Sequence, residues 1–295
     1  MTEPVVAGVD GSEASLDATA WAATAAALRR APLRLVHVTL RWAYDVPLVP
    51  QPAHWGPASQ AACRELLARA VERARAEAPS TEITTEVLDG AAAEAIAAAA
   101  GTAQLVVVGG RGRGGFTGLL LGSVSRDLAV RCPCPLVVVR PREEGGGEVV
   151  VGATGEPGQE HILRFAFEEA LLRRLPLRAV HAWTHPVAAF PGDMQPLVYD
   201  VEGVGREEER LLAESLAGWR ERFPDVPLVE QVVHGHPAGV LAEASATAEL
   251  VVVGAPGRAA LLGSTVHSLL GHARGPVAVV PRPPGHRPPG TAPPA

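Results

Sequence analysis

The chain repeats itself once, and that repeat limits what it can fold into. "VVAGVDGS" at 5–12 returns as "VVVGATGE" at 149–156, and "LRLVHV" at 33–38 returns as "LRAVHA" at 177–182. "QLVVVGGRGR" at 104–113 is echoed by "ELVVVGAPGR" at 249–258, and "CPLVVVRP" at 134–141 by "GPVAVVPRP" at 275–283. The offset is about 145 residues, half of the 295-residue chain, far beyond the roughly 20–50 residues of a solenoid repeat. It reads as a duplicated domain.

Composition marks the joints. "RPREEGGGE" at 140–148 is charged and Gly-rich, as a flexible linker is. "PRPPGHRPPGTAPPA" at 281–295 is dominated by Pro and Gly and cannot build a core. The expected division is a first domain at 1–141, a linker at 142–147, a second domain at 148–282 and a disordered Pro-rich tail at 283–295.

Within the first half, short β-branched runs fall near 4–10, 33–39, 82–88, 104–109 and 135–140. Segments rich in Ala, Arg and Glu lie between them, near 13–30, 58–78, 91–101 and 123–131, with helical spacing. Strands alternating with helices imply parallel pairing through right-handed crossovers. Runs such as "LVVV" suit strands covered on both faces. The expected fold is α/β: two tandem, doubly wound, Rossmann-like domains.

The formal net charge of −6 argues against a dedicated DNA or RNA surface. No apolar run reaches the roughly 18 residues of a membrane span, and "MTEPVVAGVDGS" lacks the layout of a signal peptide. Three cysteines make no disulfide framework. Together these point to a soluble, cytoplasmic protein with no nucleic-acid or membrane partner. The chain contains no Lys and no Asn. A Walker P-loop needs its Lys, a protein-kinase site needs both residues, and Schiff-base chemistry needs Lys; all three are excluded.

In doubly wound sheets, ligands bind at the carboxyl ends of strands where the strand order switches. "LVVVGGRGRGGFTGLLLGSVS" at 105–125 begins at such an end. Gly109 and Gly112 allow a tight turn and bring backbone N–H groups toward a ligand. Gly122 and Ser123 open a helix whose first N–H groups are free and partly positive. Arg111 and Arg113 add charge, and Ser123 and Ser125 add hydroxyls. The natural guest is an anion, most simply a phosphate chain, although a Gly-rich loop is also a common plain turn. Asp10 stands at the end of the first strand. Either it faces this crevice, toward a sugar hydroxyl, a base amine or a metal, or Asp10 or Ser12 caps the helix that follows.

The spacing Gly109-x2-Gly112-x9-Gly122-Ser123, with "VVAGVDGS" as first strand and "CPLVVV" as last, resembles the nucleotide motif of ATP-binding universal stress proteins. The tandem layout, with "LAGWRERFPDV" in the second half, is similar to the two-domain actinobacterial members. The resemblance covers nearly the whole chain except the tail. It implies a five-stranded parallel sheet per half, in the order 3-2-1-4-5, with final strands that pair antiparallel across a two-fold axis. It implies that Gly8 and Asp10 line the adenosine end, that Val38 meets adenine through its backbone, and that Gly109, Gly110, Arg111, Gly112, Arg113, Gly114 and Gly115 wrap ribose and phosphates. Gly122, Ser123 and Val124 then hold the phosphates, and Mg²⁺ arrives with ATP and not through a protein cage. The implied assembly is a homo-oligomer or an intramolecular pseudo-dimer.

The second half departs from the pattern. Thr154 stands where Asp10 does, and only "RAALL" separates Gly257 from Gly263, five residues in place of nine. Gly152, Gly254, Gly257, Gly263 and Ser264 are what a second site retains. One strong ATP site, in the first half, is expected.

Other features read more blandly. His37 and His181 occupy equivalent strand positions and suit structural hydrogen bonds. "HGH" at 234–236 lacks a third zinc-like ligand, and "CPC" at 132–134 lacks redox CxxC spacing. "GREEERLLAESLAGWRERF" at 205–223 is a solvated helix with a buried Leu/Trp stripe. Aromatic, Pro-rich loops at 41–57 and 183–200 suit a lid or a partner surface.

The expected function is regulatory ATP binding in stress or dormancy, a role that comes from the resemblance, with at most slow hydrolysis because no base is placed to activate water. An ATP-cleaving adenylating or pyrophosphatase-type enzyme is the first alternative; "VDGSEAS" lacks the second Gly of that class's "SGGxDS" turn. A nucleotide-free dimerisation scaffold is the second, and the intact first motif counts against it.

Overall fold

A computed structural model of the protein describes residues 2–39, 57–112, 121–141, 146–155, 158–184, 200–255 and 262–282. Arg113, Gly114, Gly115 and Gly257, the tail, and most of the linker and of the two aromatic loops lie outside the described residues.

The first half runs β1 (Val5–Gly8), α1 (Glu13–Arg29), β2 (Leu33–Thr39), α2 (Pro57–Glu77), β3 (Ile83–Asp89), α3 (Ala92–Ala99), β4 (Leu105–Gly109), α4 (Ser123–Arg131) and β5 (Leu136–Val139). The second runs β6 (Val149–Gly152), α5 (Glu160–Arg173), β7 (Leu177–Trp183), α6 (Val201–Leu216), α7 (Trp219–Arg222), β8 (Leu228–His234), α8 (Pro237–Ala244), β9 (Leu250–Gly254), α9 (Ser264–His272) and β10 (Val277–Val280). Among the described residues no helix is long and apolar enough to cross a membrane.

Among the described residues ten strands form one sheet, in the order β3-β2-β1-β4-β5-β10-β9-β6-β7-β8. Each half is parallel and follows 3-2-1-4-5, as expected. The halves meet at one antiparallel seam, where Val138 pairs with Val277 and Leu136 with Val279. Those final strands are short, apolar and buried throughout. Left as edges they would expose unpaired backbone and apolar side chains together, and pairing within one chain removes both problems.

Side-chain alternation sends each strand's residues to two separate cores. Val5, Ala7, Leu105 and Val107 pack with α1 and α2 on one face, whereas Val6, Val106 and Val108 pack with α3 and α4 on the other. Both cores continue through the second half.

The first half packs helices through alanine: Ala23, Ala74 and Ala78 are buried. At the equivalent positions the second half stacks Phe167 on Trp219, with ring centroids 5.4 Å apart, and on Phe223 at 5.1 Å. Small side chains let α1 and α2 approach closely, while large rings fill a wider gap in the second half.

Candidate functional site

β1 and β4 lie side by side, yet the helices that follow them leave toward opposite faces of the sheet. The crevice between their carboxyl ends is a cavity of about 520 Å³. Gly8, Asp10, Val38, Gly109, Arg111, Gly112, Gly122, Ser123 and Val124 line it, so nine of the residues singled out from sequence converge on one space. Gly110 does not line it. It works behind the wall: its N–H donates to Val139 O at 2.9 Å and its carbonyl accepts from Gly122 N at 2.9 Å. These two bonds pin the end of β4 to β5 and to the start of α4.

One side of the cavity suits an anion. Gly122 is the N-cap residue of α4, with an ordinary φ of −69° and no side-chain cap. The first intrahelical bond there is Arg126 N to Gly122 O. The N–H groups of Ser123, Val124 and Ser125 therefore have no helical acceptor, and all three residues line the cavity. Arg111 stands at its mouth and Arg140 behind it. Burial, and then the nearby Arg111 charge, push the Arg140 guanidinium pKa below its usual value. Two cations held this close raise the positive potential that an anion would relieve. Arg140 is fixed from the second half, donating to Leu270 O at 2.5 Å and to Ala273 O at 3.2 Å at the carboxyl end of α9.

The other side suits a flat apolar ring. Val36, Val38, Ala92, Ile96, Val108 and Leu121 line it. In a parallel strand, alternate residues present their backbone groups to opposite neighbours. Leu33 N takes Glu82 O on the β3 side, and Val36 O takes Val9 N on the β1 side. Val38, two residues beyond Val36, presents its N–H and C=O on the same side, where β1 has already ended. A donor and an acceptor thus sit together at the apolar end.

Asp10 lies between the two sides, two residues beyond the end of β1. Its Oδ1 accepts from Ser12 N at 2.9 Å and from Ser12 Oγ at 2.6 Å. Ser12 Oγ in turn accepts from Ser15 N at 3.2 Å, so Ser12, not Asp10, is the N-cap of α1. Asp10 orients the cap and keeps Oδ2 toward Gly112. Gly109 is required for another reason: a Cβ there would stand 2.7 Å from Ala14 O, in the backbone of α1.

The Ser125 hydroxyl donates to Gly109 O at 2.8 Å. Its proton is spent on the strand end, so it serves the site as a brace and through its backbone, not as the hydroxyl donor expected from sequence. Ser15, Arg140 and the apolar wall were not legible as site residues. They look like ordinary core or strand-end residues until topology gathers them.

The second half lacks more than its sequence spacing suggests. α5 has 14 residues where α1 has 17, because its N-terminus is set back. Gln159 occupies the position of Ser15, and its buried Oε1 accepts from Thr154 N at 3.0 Å. Ile162 packs directly over Gly254. Gly152 faces Leu241 and Val253, much as Gly8 faces Ile96 and Val108, so the strand ends match where the loops do not. Gly263 precedes α9 as Gly122 precedes α4, and Ser264 is its first residue.

The remaining sequence candidates fall elsewhere. His37 Nδ1 pairs with Val9 O at 2.7 Å, and His181 Nδ1 with Ala153 O at 2.9 Å. The His234 ring tilts on Trp183, with centroids 4.6 Å apart. Cys132 and Cys134 are free, with sulfurs 3.9 Å apart. The contact between them lowers the Cys132 pKa and, together with burial, raises that of Cys134. Among the described residues no group of three or more His, Cys, Asp or Glu could hold a metal ion.

Comparison with known proteins agrees with this architecture. The model of the universal stress protein family matches residues 1–140 and again 147–281. A universal stress protein of Mycobacterium tuberculosis H37Rv is 39% identical over 289 residues, spanning 93% of this chain and 96% of that protein. The crystal structure of a universal stress protein from Archaeoglobus fulgidus shares the fold at 18% identity, with a TM-score of 0.68, covering 96% of this chain and 97% of that one. A universal stress protein solved in complex with cAMP aligns with 47% of this chain and 97% of its own at 31% identity, TM-score 0.38. This chain belongs to the universal stress protein family and carries two of its domains in tandem.

Proposed function

We propose that the first-half cavity binds ATP, and that its occupancy sets the regulatory state of the protein in stress or dormancy. The observation that carries the reading is the polarity of one cavity. Three free helix N–H groups and Arg111 stand at one end, and an apolar slot with the Val38 backbone pair stands at the other. A phosphate chain suits the first. An adenine ring suits the second, where Val38 offers one donor and one acceptor to the base edge. Asp10 lies between them, where a ribose hydroxyl would donate to Oδ2. Gly8 gives the adenosine end its room, and Gly109, Gly110, Gly112, Arg113, Gly114 and Gly115 belong to the ribose and phosphate path.

Mg²⁺ enters with the nucleotide, bound mainly to phosphate oxygens and water. Asp10 is the single carboxylate among the described lining residues, and Ser12 already holds its Oδ1. Among the described residues no general base is poised for water, so hydrolysis is slow. The domain division at 142–147 goes with this reading, as does a cytoplasmic location, where ATP is abundant.

Protein purified without added nucleotide, then heat-denatured, should release an adenine nucleotide detectable by chromatography. Titration of stripped protein should rank ATP above cAMP. No released nucleotide and no measurable titration would favour the scaffold reading, and pyrophosphate release in the presence of an acceptor would favour an enzyme.

A further inference from the structure

We propose that Cys63 is a thiol–disulfide exchange site, activated by His37, for small disulfides of the amino-acid type. A second cavity of about 340 Å³, separate from the nucleotide cavity, is lined by His37, Cys63, Glu65 and Arg69 among others. His37 Nδ1 lies 2.7 Å from Val9 O. A carbonyl only accepts, so Nδ1 carries the proton and the neutral ring keeps its lone pair on Nε2. Among the described residues that Nε2 has no hydrogen-bond partner.

The internal repeat gives the position that corresponds to the partner of Nε2. His181 is the counterpart of His37 and makes the same Nδ1 bond, to Ala153 O. Its Nε2 pairs with Glu208 Oε2 on α6 at 2.8 Å. The helices align through buried Leu67 and Leu212 and through the strands that follow, Ile83–Asp89 and Leu228–His234. In that register Cys63 on α2 takes the place of Glu208. The first half therefore has a thiol at the position of the second half's carboxylate, and His37 and Cys63 line the same cavity. Cys63 is a half-buried free thiol.

The chemistry balances without a further oxidant. The Cys63 thiol gives its proton to His37 Nε2, directly or through one water. The thiolate attacks one sulfur of the disulfide; a Cys63–S–S–R bond forms and the original S–S bond breaks. The departing thiolate takes the proton back from His37 and leaves as a thiol. Arg69 and Glu65 supply class selectivity. Arg69 is 56% exposed and meets the 87% exposed Glu13 at 3.8 Å, so its charge is available to a carboxylate. Glu65 can meet an ammonium. An amino-acid-type disulfide carries both groups. This site stands whether or not the first cavity binds nucleotide.

The test uses the full chain with Cys132→Ser and Cys134→Ser, incubated with excess oxidised glutathione at pH 7 and followed by intact-mass spectrometry. An ordinary thiol is only a few per cent ionised there, so the folded chain should form the mixed disulfide about tenfold faster than the same chain in urea. His37→Gln should remove that advantage. Arg69→Ala should slow oxidised glutathione but not the uncharged hydroxyethyl disulfide. If the double Ser variant does not fold, peptide mapping of the wild-type adduct gives the same discrimination. A folded rate no faster than the urea rate, an adduct confined to Cys132 or Cys134, or a rate indifferent to His37→Gln would overturn the proposal. Indifference to Arg69→Ala would overturn the substrate class.

Discussion

Asp10 Oδ2 occupies the space that Gly112 leaves open: a Cβ on Gly112 would stand 2.5 Å from it. The carboxylate can yield to a Cβ only by giving up the two hydrogen bonds through which Ser12 holds Oδ1. Gly112→Ala should therefore displace Asp10 from the cavity while leaving the fold intact. Loss of one polar contact should weaken nucleotide binding by about 0.5–1.5 kcal/mol, roughly two- to tenfold. Calorimetric titration beside a thermal melt checks this. Unchanged affinity would mean that Asp10 makes no contact with the ligand.

The seam between the halves makes a second prediction. Val138 has 0% exposure and pairs with Val277. Val138→Glu would bury an unpaired carboxylate in a continuous sheet and should cost at least about 3 kcal/mol. The matched control is Val87→Glu on β3, where Val87 is 39% exposed and the change should stay within about 0.5 kcal/mol. Urea denaturation of both variants decides it. Equal midpoints would show that the seam does not hold the halves together.

A buried ion-pair network crosses between the halves on one face of the sheet. Glu169 of α5 has 0% exposure and accepts from both Arg29 of α1 and Arg173. Arg173 also pairs with Glu249 at 3.2 Å and stacks 4.7 Å from the Trp21 ring centroid. Glu169→Gln removes the charge that two buried guanidinium groups share. The expected loss is about 3–5 kcal/mol, because the remaining cations stay buried. A loss below about 1 kcal/mol in denaturant titration would show that solvent, not Glu169, compensates them.

Much of this was legible from sequence. The repeat, the alternation of apolar runs with Ala-rich segments, and the glycines after "LVVV" place ten strands and the cavity. Those signals are local: periodicity fixes element type, and a strand's carboxyl end fixes where a Gly-rich loop lies. What sequence hides depends on register between distant segments. Glu169 reads as a helix-surface residue until Arg29, 140 positions away, closes over it. The Ser125 hydroxyl reads as a ligand donor until the end of β4 takes its proton. The set-back start of α5 escapes notice because Gln159 is an unremarkable residue for Ser15 to become.

Gly122 allows the most direct measurement. A Cβ there would meet Gly110 O at 3.4 Å, an ordinary contact, and φ is −69°. Substitution is therefore compatible with the fold, and Gly122→Glu places a carboxylate against the three free N–H groups of α4. Nucleotide-free protein titrated with ATP by calorimetry should show a tight phase with a stoichiometry near one. Gly122→Glu should weaken that phase at least tenfold, about 1.4 kcal/mol, and Gly263→Glu should leave it unchanged. Two equivalent tight sites, or a tight phase that survives Gly122→Glu and disappears with Gly263→Glu, would contradict the assignment of nucleotide binding to the first half.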